Sequence, residues 1–149
     1  MSASLEQLRE ARARGDVRAM IAAIPYARFL GLDLELADDE LRGVLRYSDA
    51  LIGDPTLPAL HGGTIGALLE NTALLQIAWD IDLVALPKTI SFTIAYLRSG
   101  KPRDVYARAT ITRQGRRVAN VQVEAWQEER ARPIATAAGQ FLIQSAPRR

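Results

Sequence analysis

Between Pro58 and Asp80, apolar residues fall on nearly every side of a helical wheel: Ile65, Leu68, Leu69, Leu74, Leu75, Ile77 and Trp79 follow a proline-led turn and a Gly62-Gly63 pair. A helix that is hydrophobic almost all round belongs in the middle of a fold. After Pro87 the period drops to two. Val105, Ala107, Ala109 and Ile111 alternate with Tyr106, Arg108, Thr110 and Thr112, and Ala119, Val121, Val123 and Ala125 alternate with Asn120, Gln122 and Glu124. That pattern suits a sheet with one wetter face. Strands are therefore expected over 88–97, 105–112, 118–127 and 134–143, with turns at 98–102, 114–116 and 128–130. Upstream, Leu32 to Leu36 and Glu40 to Tyr47 read as two strands joined at Asp38-Asp39, and 48–58 as an irregular approach to the helix. The first residues read as a helix over 4–13 with Ser4 as N-cap. Asp16 caps a second helix running to about Ile24, where Pro25 stops it, and 26–31 form a helical turn or loop. Two strands, one long buried helix and four antiparallel strands predict an α+β fold with the antiparallel sheet wrapped around the helix, behind a short helical N-terminal arm.

Composition narrows the chemistry. A chain of 149 residues is one domain with room for a core, and 48% apolar and 24% charged residues are ordinary for a globular protein. The chain has no cysteine, which excludes disulfides, thiolate nucleophiles and Cys-based metal sites. No apolar run reaches about 18 residues and the N-terminus is not signal-like, so no membrane association and a cytoplasmic location are expected. The net charge of +2 comes without one clustered basic face, so nucleic acid is not an expected partner.

Within the apolar stretch stands a single carboxylate, Glu70. Carboxylates are rarely buried without a partner, because desolvation costs several kcal/mol. Gly62 and Gly63 lie at the helix N-terminus, where unpaired N–H groups face outward. His61 is the only histidine, which excludes a centre built from several His, and no Gly-x-Ser-x-Gly elbow accompanies it. Gly63 and Glu70 are seven residues apart, so their azimuths nearly coincide at a rise of roughly 10 Å. One carbonyl needs its oxyanion donor and its base within about 3 Å. Two antiparallel copies of the helix can meet that need, which points to a homodimer with sites between subunits; such dimers could pair into a tetramer.

The pattern His61-Gly62-Gly63 with Glu70 nine positions after the His, opening a long apolar helix, resembles the hotdog-fold acyl-CoA thioesterases of the phenylacetate-pathway (PaaI-like) type. The run Ala95-Tyr96-Leu97-Arg98-Ser99-Gly100 is similar to that family's strand ending in a Tyr/Phe-Leu-Arg-x-Gly/Ala turn, and the resemblance covers roughly residues 26–143. It implies a hotdog domain over 26–145 behind an arm at 1–25. It also implies hydrolysis of an acyl- or aryl-CoA to free acid and CoA, with no metal or organic cofactor and CoA only as part of the substrate. In that reading Gly62 and Gly63, with Gly63 ahead, donate N–H to the thioester carbonyl. Glu70 is general base or nucleophile, and His61 orients the thioester oxygen or sulfur.

The chain also departs from the family. Pro55 stands where relatives carry Asn or Gln, leaving Asp54 as substitute, and Leu74 stands where some carry Ser or Thr. Thr89 aligns with a strand Ser or Thr that contacts water or substrate in relatives, so the resemblance implies that role for its hydroxyl, with Asn71 a supporting residue. Arg98, Lys101 and Arg103 in one turn and Arg113, Arg116 and Arg117 in the next are expected at one end of adjacent strands, as an electropositive mouth for CoA phosphates. Two other readings stand beside the thioesterase: a non-catalytic acyl-CoA-binding or sensing hotdog protein, and a hotdog hydratase or dehydratase, whose His-Phe-Pro turn or Asp and His five apart do not occur here.

Overall fold

The computed structural model describes residues 3–147. Its organising element is α4 (Gly62–Asp80), nineteen residues long, with Leu68, Leu69, Leu75 and Ile77 almost wholly buried. Before it come α1 (Ala3–Ala13), α2 (Val17–Ala22), α3 (Pro25–Leu30), β1 (Leu32–Ala37), β2 (Glu40–Leu45), β3 (Ile52–Asp54) and β4 (Ala59–Leu60). After it come β5 (Lys88–Tyr96), β6 (Val105–Gln114), β7 (Val118–Trp126) and β8 (Ala135–Leu142). Six strands form one antiparallel sheet in the order β1-β2-β6-β7-β8-β5. The sheet can wrap closely because its inner face is built of small residues, with Ala107, Ala109, Ala119, Ala125, Ala135 and Ala137 buried against the helix. The helix brings the bulk and the sheet brings the space. This is a hotdog fold.

Local chemistry explains the elements around it. Asp38 and Asp39 both have positive φ, 52° and 61°, as a two-residue hairpin turn of the primed type requires. Asp16 caps α2 by accepting from the Ala19 amide at 3.0 Å. Ser4 is not an N-cap, because α1 already starts at Ala3. Pro25 ends α2 but also opens a third helix at its first position, where a missing N–H costs nothing, and Gly31 closes that helix at φ 73°. The approach over 48–58 is more ordered than expected: a 3₁₀ turn at Asp49–Leu51 leads into the small β3–β4 hairpin. The arm shares the main core through Leu5, Leu8, Ala11 and Met20. It is tied to the end of α4 where Arg12 Nε donates to the Trp79 carbonyl at 2.8 Å.

The sheet has one seam. β2 pairs with β6 only from Gly43 to Leu45, and below that Arg108 reaches across the gap. It bonds the Gln76 side chain on α4 at 2.7 Å and the Glu40 carboxylate at 3.0 Å. Glu40 also accepts from Arg42 at 3.1 Å and Arg130 at 2.8 Å. Burial alone would push the Glu40 carboxyl up. The hydrogen bonds and charges of Arg130, Arg42 and Arg108 outweigh it and hold the group below the ordinary carboxylate range.

Two outcomes are expected. A carboxyl held low in the folded state stabilises it above the unfolded pKa and loses that contribution as pH falls through the folded one. Glu40→Gln should therefore lower Tm by several degrees at neutral pH, with the gap to wild type narrowing below about pH 4.5 in a thermal-melt series. At Gly43, an added Cβ would lie 2.1 Å from Thr72 Oγ1 and 3.2 Å from Leu68 Cδ1. Gly43→Ala should cost about 1–3 kcal/mol in urea unfolding, and pairing it with Thr72→Ala should recover part of the loss.

Candidate active site

The start of α4 uses its amides unevenly. His61 is the N-cap, and its Nδ1 accepts from the Gly63 amide at 2.9 Å. That bond leaves the ring proton on Nε2 when the imidazole is neutral. The Thr64 amide and hydroxyl both bond the His61 carbonyl, at 3.0 and 2.7 Å. A first-turn amide has no carbonyl of its own helix to bond. Of these three amides, only that of Gly62 has no acceptor among the described residues. One expectation changes accordingly. Gly63, placed ahead as donor, has its N–H committed to His61, which leaves Gly62, while the His61 ring engages its own helix turn through Nδ1 alone.

Glu70 is half-buried rather than buried. The reason is topological: β5 is an edge strand, and beside it lies an open cleft of about 530 Å³ lined by Gly63, Ala67, Glu70, Phe92, Ile94 and Tyr96. Thr89 at the start of β5 donates its hydroxyl to Glu70 Oε1 at 2.7 Å, fixing the carboxylate. Three lining residues escaped the sequence reading: Tyr26, Ile94 and Tyr96. The signal for two of them was the inward set Phe92, Ile94, Tyr96 on a period of two. Tyr96 donates its hydroxyl to the Gly62 carbonyl at 2.8 Å. Its ring also lies so close that a Cβ on Gly62 would come within 3.2 Å of it. Gly66 also lines the cleft, and Ile94 packs over it, with Cδ1 2.9 Å from where a Cβ would stand.

The remaining candidates divide. Asn71 is buried, donates to the Ala67 carbonyl at 2.8 Å and lines the cleft beside Glu70. Asp54 is not a donor. It accepts from the Thr56 hydroxyl at 2.6 Å and amide at 2.9 Å, and these bonds hold its carboxyl below the usual range at the exposed end of β3, where it does not line the cleft. The single basic mouth is also corrected. The connection over 98–103, which crosses from β5 at the sheet edge to β6, enters one end of β6, and the next turn leaves the other; β6, ten residues long, separates them by roughly 30 Å. Arg98, Lys101 and Arg103 sit at the α4 N-terminal end, where the Gly100 carbonyl accepts from Leu60. Arg113, Arg116 and Arg117 sit at the other. Lys101 and Arg103 both pair with Glu128, while Arg98 has no ion pair among the described residues.

Among the described residues no group of three or more His, Cys, Asp or Glu is placed to hold a metal ion. No helix among the described residues is long and apolar enough to cross a membrane. The arrangement thus offers one unpaired amide at the start of α4 and, along the same helix, one braced carboxylate on an open cleft.

Residues 54–142 match the family model described as the acyl-CoA thioesterase N-terminal domain. A search of curated proteins found no match. Among solved structures, a Chromobacterium violaceum protein is 34% identical over 93% of this chain and 97% of its own, with a TM-score of 0.77. A Ralstonia eutropha JMP134 protein described as phenylacetic acid degradation-related is 23% identical over 89% of this chain and 97% of its own, with a TM-score of 0.73. A Bacillus halodurans protein whose crystal structure contains CoA is 16% identical over 97% of this chain and 91% of its own, with a TM-score of 0.69. The last two likenesses are of fold. Together with the helix-wrapping sheet, the family match over 54–142 places this chain in the hotdog-fold acyl-CoA thioesterase superfamily.

Proposed function

We propose that the protein hydrolyses an acyl- or aryl-CoA thioester to the free acid and CoA, as a PaaI-like member of its superfamily. The observation that carries the reading is the Thr89-braced Glu70 carboxylate sharing one cleft with the α4 N-terminus. The Gly62 amide polarises the thioester carbonyl and holds the developing oxyanion. Glu70 takes a proton from water as the water oxygen bonds to the carbonyl carbon. The tetrahedral intermediate then expels the thiolate, which leaves with that proton as CoA thiol. Direct attack by Glu70, which expels the CoA thiolate and gives an anhydride that water opens to the free acid and Glu70, uses the same groups. Arg98 and Lys101, at the α4 N-terminal end, lie where the CoA phosphates would enter. The likeness to a protein crystallised with CoA and to a phenylacetic acid degradation-related protein supports the substrate class.

Glu70 and Gly62 are eight residues apart on one helix, roughly 12 Å along its axis, so a second copy completes the site. β5 has β8 as its only neighbour in the sheet and exposes Ile90 and Tyr96. A partner strand added antiparallel to that edge sets the two α4 helices antiparallel, with Gly62 of one protomer against Glu70 of its partner. Unpaired strand edges invite such pairing.

Free-thiol release from short, medium and aryl acyl-CoAs should show wild-type turnover. Glu70→Gln should lower kcat by about 10²–10⁴ while the variant stays folded and still binds. Gly62→Pro removes the amide and sets a Cβ against the Tyr96 ring; its backbone fits, since proline suits the first helical position and His61, at φ −64° and ψ 128°, is compatible with a following proline. It should cost about 10²–10³ in kcat, whereas Gly62→Ala, which keeps the N–H beside the same Tyr96 ring, should cost far less. Equal rates for wild type and Glu70→Gln would remove Glu70 as the base. Tight acyl-CoA binding without turnover would favour a carrier or sensor.

A further inference from the structure

A second cavity opens next to the cleft. It is about 240 Å³, almost entirely apolar, and lies where the N-terminal arm meets α4, lined among others by Leu8, Ile24, Leu74, Ala78 and Leu86. Asn71 and Leu74 line both cavities, and Pro25 of this one adjoins Tyr26 of the other on α3. Along α4 the residues facing the two spaces change in order: Gly63 and Ala67, then Glu70, then Leu74 and Ala78. Leu74 and Ala78 lie roughly 6 and 12 Å beyond Glu70 along the axis. The walls keep apolar surface uncovered, since Leu86 is 38% exposed and Ile24 and Leu74 are only half-buried.

We infer that this cavity receives the acyl tail of the thioester, so that the N-terminal arm selects the substrate. The inference rests on the proposed CoA-thioester site and adds the class of acyl group it takes. A carbonyl held beside Glu70 directs its substituent past Asn71 and Leu74 into this apolar space. A cavity of about 150 Å³ lined by aliphatic and aromatic side chains already holds benzene. This one therefore takes a phenyl ring with a short linker, or a straight chain of medium length. Its polar neighbours are few, so charged or hydroxylated tails are disfavoured by desolvation. Leu8 and Ile24 belong to the arm, which makes them specificity-determining residues without any contact to the reacting atoms.

Non-hydrolysable S-alkyl-CoA thioethers read the cavity without requiring catalysis. The wild type should bind S-octyl-CoA about tenfold or more tighter than S-ethyl-CoA, as burial of several methylenes demands. Ala78→Phe, which fills the far end, and Leu86→Trp, which fills the rim from an exposed position and spares the core, should each abolish that preference. S-ethyl-CoA affinity should change less than about twofold, because both positions lie beyond the thioester. Equal binding of the two thioethers by the wild type, or a preference that survives both substitutions, would overturn the inference. A failure of the proposed activity is read separately: absent thiol release with the octyl preference intact and lost in both variants would leave the cavity assignment standing.

Discussion

A helix apolar on nearly every side must be covered, and most of this molecule follows from how that is done. The sheet curls around α4 by lining its inner face with alanine, and β2 carries Gly43 where Thr72 leaves no space for a side chain. The cover is incomplete along one line. Gly63, Gly66, Ala67, Glu70, Asn71 and Leu74 are the residues of α4 that line the cleft beside β5, at steps of three, one, three, one and three. Those steps trace one face of a helix. The uncovered stripe carries the only carboxylate of the helix interior and begins at the unpaired amide end. Packing and chemistry are thus two descriptions of one gap.

Much of this is legible from residue order. A long run without a polar face announces α4, and alternation at 105–111 and 119–125 announces strands buried on one side. Glu70 stands out because a lone carboxylate inside an apolar run needs a reason. What residue order conceals is who satisfies whom. The commitment of the Gly63 amide to His61, and of Asp54 to Thr56, depends on side-chain rotamers within two residues of each other. Residue type alone does not specify these. The basic turns are a different matter: one precedes β6 and the other follows it, and the two ends of a single strand are far apart, so the separation of Arg98 from Arg117 is legible in the sequence.

The arm links stability to selectivity. Its Leu5, Leu8 and Met20 belong to the main core, while Leu8 and Ile24 also wall the apolar cavity that continues from the cleft. A chain lacking the arm would lose both packing and a wall of the site. On the far side of the sheet, the Arg108 bridge closes the seam between β2 and β6 and holds Gln76 of α4 from behind. Gln76 lies six residues from Glu70 on the same rigid helix, so the seam contributes to where the carboxylate stands.

The central claim is that each site joins the Gly62 amide of one subunit to the Glu70 carboxylate of the other. A heterodimer of one Glu70→Gln chain and one Gly62→Pro chain, purified through two different tags, tests it most directly. Each parent homodimer is dead at both sites. The two-fold arrangement gathers both lesions into one site and leaves the other intact, so the heterodimer should recover about half of wild-type turnover. A heterodimer no more active than its parents would contradict the account and place the amide and the carboxylate of each site on the same chain.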